Sequence, residues 1–196
     1  MATHVALLRG INVGGRNKVP MADLRQVVTS LGHTEVTTYI QSGNVLFTAA
    51  GTGKARTGEL AACLETAIAD AFGIWASVVV LSRDELAAVL DGNPYPEEAN
   101  PKLVHVVFLS TEPPADLLDR ITAAASAATA KGSRDSITAT GSAFFLHTPD
   151  GYGTSELAQS VFRIIGTPSK QKKPAVAATA RNWATATRLL SLCDEK

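Results

Sequence analysis

A chain of 196 residues, 45% hydrophobic and 18% charged, with a formal net charge of zero, is long and apolar enough to bury a core of its own. Such a composition excludes a disordered, highly charged chain, and the overall charge names no partner. No apolar run approaches the roughly 18 residues that span a bilayer, so no membrane partner is expected and a cytoplasmic location is the default.

Taken in chain order, residues 5–8 form a short apolar run that reads as a buried strand. A glycine-bearing loop follows over residues 10–19. Pro20 suits the first turn of a helix whose apolar face is Leu24, Val27, Val28 and Leu31, with Gly32 ending it. Residues 36–40 are β-branched and aromatic, hence a strand. They turn through Gln41-Ser42-Gly43-Asn44 into a second strand over 45–48. The period predicts a helix over 60–72, then a strand over 78–81. Ser82 and Glu85 have capping-box spacing at the start of a short helix. Residues 93–101, rich in Pro and Asn, read as a linker. The plan then repeats: a strand over 103–109, a helix over 115–128, a hairpin of 136–140 and 143–147 around Gly141, a helix over 156–165, and a sixth strand over 176–179. A helix over 182–192 closes the chain, with Trp183, Ala186, Leu189, Leu190 and Cys193 on one face.

The expected fold class is therefore α+β, two ferredoxin-like β-α-β-β-α-β halves in tandem plus a C-terminal helix. The first half spans residues 1–92, the linker 93–101, and the second half with the last helix 102–196, as two domains or one compact body. Val104, Val106 and Phe108 alternate with His105, Val107 and Leu109, and both sets are largely apolar. Both sheet faces should therefore be covered.

Local charge is uneven. Residues 157–193 contain no acid but carry Arg163, Lys170, Lys172, Lys173, Arg181 and Arg188. The first stretch has Arg9, Arg16, Lys18 and Arg25 against Asp23 alone, and the compensating acids lie mid-chain. Cys63 and Cys193 lack a close Cys or His companion, and His4, His33, His105 and His147 show no ligand spacing, so no metal is expected. Cys63 falls in line with Leu60, Leu64 and Ile68, which predicts a buried thiol. His147, on a strand, reads as structural. No residue pattern names a cofactor.

Four segments carry candidate chemistry. The loop Arg9-Gly10-Ile11-Asn12-Val13-Gly14-Gly15-Arg16-Asn17-Lys18 joins a strand to a helix start. Gly10, Gly14 and Gly15 give a ligand access to backbone, while Arg9, Asn12, Arg16 and Lys18 supply charge and hydrogen bonds. It is neither a P-loop nor a dinucleotide fingerprint. Gln41, Ser42 and Asn44 offer polar groups on a hairpin turn. Tyr152 sits in Asp150-Gly151-Tyr152-Gly153-Thr154-Ser155, where Ser155 or Thr154 reads as an N-cap rather than a nucleophile. Arg181 suits a phosphate or carboxylate, Asn182 reads as an N-cap, and Trp183 as core. Gly51-Thr52-Gly53-Lys54 lacks the rest of a phosphate loop, and Lys170-Gln171-Lys172-Lys173 is a short basic loop.

At these residues the chain resembles the DUF1697 family of bacterial proteins. The resemblance lies in Leu7-Leu8-Arg9-Gly10-Ile11-Asn12-Val13-Gly14-Gly15, Tyr39-Ile40-Gln41-Ser42-Gly43-Asn44-Val45, Pro149-Asp150-Gly151-Tyr152-Gly153 and Thr179-Ala180-Arg181-Asn182-Trp183. It implies a duplicated ferredoxin-like α+β fold and no function, since the family is one of unknown function. The chain departs from the family pattern at Ser155-Glu156-Leu157, where Ser-Lys-Leu is usual, and at Ala184, where Asn is usual. The segment 167–175 is longer than in the family.

The leading expectation is a protein that binds an anionic partner, a nucleotide-like small molecule or nucleic acid. An enzyme acting on a phosphorylated or carboxylated metabolite ranks lower, because no nucleophile–base pair is visible. A scaffold or homodimer is the third reading.

Overall fold

The computed structural model describes residues 1–50, 56–166 and 175–195. The glycine-rich residues 51–54, the basic residues 170–173 and most of the segment 167–175 lie outside the described residues. The protein is α+β, with two four-stranded antiparallel sheets and, among the described residues, six α-helices. It divides into two compact units. The first is Met1–Ala88 with the C-terminal residues from Arg188, and the second takes the described residues from Val89 to Thr187.

In the first unit, β1 (His4–Arg9), α1 (Met21–Ser30), β2 (Thr34–Tyr39), β3 (Asn44–Thr48), α2 (Thr57–Phe72) and β4 (Ser77–Ser82) follow in turn. The sheet order is β2-β3-β1-β4. Ala6, Leu8, Val45, Phe47, Val78 and Val80 meet Leu24 and Val28 of α1 and Leu60, Leu64 and Ile68 of α2. Each such Val, Leu, Ile or Phe side chain taken fully from water contributes roughly 1.5–3 kcal/mol. Cys63 does not belong to this stripe: it is exposed, while Glu65 is buried and accepts from the Val78 amide at 3.1 Å. The helix is turned so that this carboxylate, not the thiol, faces strand β4.

Ser82 and Glu85 form the expected capping box at α3 (Arg83–Asp91): the Glu85 amide donates to Ser82 Oγ at 3.1 Å, and the Ser82 amide to Glu85 Oε2 at 2.7 Å.

The second unit runs β5 (Val104–Leu109), α4 (Ala115–Ala130), β6 (Ser136–Thr140), β7 (Ala143–His147), α5 (Glu156–Ile165), β8 (Ala178–Asn182) and the first residues of α6 (Trp183–Asp194). Its sheet order is β6-β7-β5-β8. Val107, Leu109, Phe144 and Leu146 pack against Leu117 and Ile121 of α4 and Leu157, Val161 and Ile165 of α5. The last strand lies further along than its apolar residues suggest and includes Arg181 and Asn182.

The two sheets match in register. Val5 pairs with Leu46 and Leu81, as Val106 pairs with Phe145 and Arg181. His4 pairs with Phe47 and Ser82, as His105 pairs with Leu146 and Asn182. The Leu8 amide donates to Gly43 O at 2.8 Å, and the Leu109 amide to Ser142 O at 2.9 Å. On both central strands the two faces are dry: Val5, Leu7, Val106 and Phe108 are as buried as Ala6, Leu8, Val107 and Leu109.

Candidate functional site

The β1–α1 loop is a small hairpin in its own right. Val13 and Arg16 form a bridge, and the Arg16 amide donates to Val13 O at 3.0 Å. Gly14 and Gly15 between them have φ of 57° and 76°, the paired positive φ of a type I′ turn, with open space around both. These glycines are thus required by the turn itself, and they leave the loop's backbone open to approach.

Asn12 holds the loop in place. Its Nδ2 donates to Val19 O at 3.0 Å and to Gln41 O at 2.9 Å, and its Oδ1 accepts from the Val19 amide at 2.9 Å. Asn17 Nδ2 closes the base by donating to Gly10 O at 2.7 Å. Asn12 is therefore a positioning residue, tying the loop to the β2–β3 turn. Arg16 and Lys18 stand exposed on this frame, and neither has an ion-pair partner among the described residues. Arg9, at the end of β1, is half-buried opposite Ser77.

The adjoining β2–β3 turn is packed from below. Gly43 has φ of 81°, and a Cβ there would lie 2.8 Å from Leu8 Cβ and 2.9 Å from Ile11 Cδ1. Asn44 is fully buried and its Nδ2 donates to Tyr39 O and Ser42 Oγ, each at 3.0 Å. It shapes the turn from inside, leaving Gln41 and Ser42 exposed. Ile40 takes φ of 49° while 50% exposed, an uncommon state for a β-branched residue.

The second unit gathers Tyr152, Arg181 and Asn182. Tyr152 opens a 3-10 turn, Tyr152–Thr154, and its ring stacks on His105 with centroids 3.9 Å apart. Asn182 lies across the strand pair from His105 and caps α6, its Oδ1 accepting from the Thr185 amide at 2.8 Å. Arg181 is only 8% exposed, and its Nη1 donates to Thr179 Oγ1 at 2.8 Å and Ala180 O at 2.7 Å. Burial pushes its guanidinium down to about 10, and the Tyr152 phenol partly offsets this. Ser155 caps α5 through a 2.9 Å bond from the Ala158 amide, and its hydroxyl donates to Asp135 Oδ2 at 2.7 Å, so it is engaged as a cap.

The family described as "Protein of unknown function (DUF1697)" matches residues 1–145. The chain belongs to the DUF1697 family. Among solved structures, the conserved bacterial protein SP0830 from Streptococcus pneumoniae is similar over 100% of this chain and 99% of its own, with 23% identity and a TM-score of 0.64. That likeness concerns the fold. No curated protein matches the chain. The match to DUF1697 takes in the β1–α1 loop and the β2–β3 turn, while the Tyr152 and Arg181 segments lie beyond the matched residues.

Two groups in this DUF1697 chain were not legible as site residues. His105 is one: burial holds its imidazole down to about 4, and its Nδ1 is buried with no hydrogen-bond partner among the described residues. Strand alternation puts it opposite Asn182, but only the loop's fold brings Tyr152 over it. The other is the expected linker. Glu98 Oε2 meets His147 Nε2 at 2.7 Å, the Tyr95 ring lies 5.1 Å from that of His147, and Ser136 Oγ donates to Tyr95 OH at 2.9 Å. Composition hides this, because a Pro- and Asn-rich stretch reads as unanchored. Among the described residues no cluster of three or more His, Cys, Asp or Glu could hold a metal ion, and no helix is long and apolar enough to cross a membrane.

Proposed function

We propose that this DUF1697 protein binds an anionic ligand, a nucleotide-like small molecule or nucleic acid, at the β1–α1 loop. One contrast carries the reading. Arg83, Lys131, Arg134 and Arg188 each hold a carboxylate, whereas Arg16 and Lys18, like several other surface cations, hold none, and they alone of these stand on the stapled hairpin whose glycines leave its backbone open. On a fixed backbone the loop itself adds little ordering cost when its cations meet an anion. In this reading Arg9, Arg16 and Lys18 supply charge, Gly10, Gly14 and Gly15 supply backbone access, and Gln41 and Ser42 hydrogen-bond at the rim. Asn12 and Asn44 hold the frame. Tyr152, Arg181 and Asn182, beside His105, are the second unit's contribution to the candidate contacts.

We further read each unit as one ferredoxin-like copy of a duplicated β-α-β-β-α-β plan, with halves at 1–92 and 102–196, working in the cytoplasm. The shared strand order and matched registers support the duplication. The binding test is a thermal-shift screen with nucleotides and short RNA and DNA oligomers at low and moderate salt. A ligand at a hundred times its Kd stabilises by about 2.7 kcal/mol. That gain should shrink with salt and in Arg16→Ala/Lys18→Ala; a flat screen at low salt removes the reading.

A further inference from the structure

The two sheets have four edge strands, and three of them are accounted for. Strands β4 and β8 are largely buried, and Glu65 takes up the Val78 amide. Strand β2 is exposed but defended: it carries Glu35, its register shifts between Thr34 and Thr37, and Arg25 reaches over from α1 to Thr38 Oγ1 at 2.8 Å. Charges and irregularities of this kind are how sheets discourage pairing at an open edge.

Strand β6 carries neither the charge nor the register shift of β2. Its sequence is Ser136-Ile137-Thr138-Ala139-Thr140, without charge or proline, and it pairs with β7 in unbroken register. Tyr95 holds its far face through Ser136 and Thr138, so the strand is firmly seated. Beside it, between α4 and β6, lies a groove of about 530 Å³ bordered by Leu118, Ile121, Ala125, Ile137, Ala139 and Phe144. Helix α4 carries no charged residue from Ile121 to Ala130, and much of that stretch is exposed. Loss of charge from an exposed surface is the compositional mark of an interface core.

We propose that β6 is a self-pairing edge through which two copies of this chain join in an antiparallel, two-fold dimer. Self-complementarity selects a second copy as the occupant. A two-fold axis at Thr138 sets Ile137 of each copy against Ala139 of the other, large against small on the groove side. It sets Thr138 against Thr138 on the other side. In a hairpin closed by the two residues Gly141 and Ser142, the backbone groups of Ile137 and Ala139 point outward, so these two residues exchange hydrogen bonds across the axis. No like charges meet anywhere along the seam. Ile137 enters the partner copy's groove, and the charge-free faces of α4 flank the joint. The seam, being uncharged, is insensitive to salt.

Sedimentation velocity of the full chain over a concentration series tests this, beside Ala139→Lys, which alters an exposed position and leaves the monomer's core untouched. The expected result is a reversible dimer in the parent protein at low and moderate salt, and a monomer with unchanged circular dichroism in the variant. A second variant, Thr138→Cys in a Cys63→Ser background, should form a covalent dimer on oxidation, because facing residues of a non-hydrogen-bonded pair lie within disulfide reach. A parent protein that is monomeric throughout overturns the proposal. So does a dimer that survives Ala139→Lys, a Thr138→Cys protein that does not cross-link, or a monomer whose β6 edge instead takes up a foreign peptide.

Discussion

Leu81 and Arg181 occupy matched positions in the two sheets, each paired with the central strand at Val5 or Val106, yet one is an apolar core residue and the other a buried cation. The neighbouring pairs, His4 with Ser82 and His105 with Asn182, are alike: each sets a histidine across from a helix-capping side chain. The connections diverge too. The first sheet leads into α1 through the hairpin loop of residues 10–20, while the second reaches α4 through residues 110–114 alone. A shared frame thus carries a cationic loop in one unit and an Arg–Tyr–His group in the other. What differs between equal frames is where function is to be sought, since the frame itself needs neither feature.

The sharpest break in this comparison comes from the hairpin turns. Gly43→Ala combines a left-handed φ with overlap onto Leu8 and Ile11, and should cost about 3 kcal/mol. Gly141→Ala, at φ of 53° in open space, should cost about 1 kcal/mol. Denaturant unfolding of the two variants measures the gap. Next, Asn12→Ala removes three hydrogen bonds from the loop unique to the first unit. It should cost about 2 kcal/mol and weaken anion binding without touching a cation.

The matched histidines offer a pH test. Burial lowers both pKa values, that of His105 to about 4. The unfolded chain therefore binds these protons more readily than the folded one. The stabilising contribution is complete above the unfolded value near 6.5, and for His105 it is lost as pH falls from there toward about 4. His105→Gln should flatten the acid limb of a stability–pH curve more than His4→Gln does. The smallest effects belong to the caps. Ser82→Ala and Asn182→Ala should each cost about 1 kcal/mol, and equal losses would support the equivalence of the helices they start.

Much of this frame is legible in the residues. Alternation and turn chemistry mark the β6–β7 hairpin, the apolar period marks α5, and the Ser82–Glu85 spacing marks a capping box that forms as expected. Strand β8 is legible only in part, because Arg181 and Asn182 are strand residues that look like loop. A strand that buries a guanidinium by hydrogen bonding does not announce itself by hydrophobicity. Cys63 misleads for the opposite reason: an apolar-looking position turns outward so that Glu65 can reach Val78. Of the candidate site, the glycines and cations are visible in sequence, but the roles of Asn12 and Asn44 are not. Asparagine reads as a ligand contact until its partners are seen to be backbone carbonyls.

Titrating the parent protein and Arg16→Ala/Lys18→Ala with the best nucleotide or oligonucleotide from the screen, at two salt concentrations, decides whether the stapled loop is an anion site. The parent should bind saturably and less tightly as salt rises, and the doubly substituted protein should bind at least about tenfold more weakly with its melting midpoint in the absence of ligand unchanged. Equal affinity in both proteins would contradict that assignment.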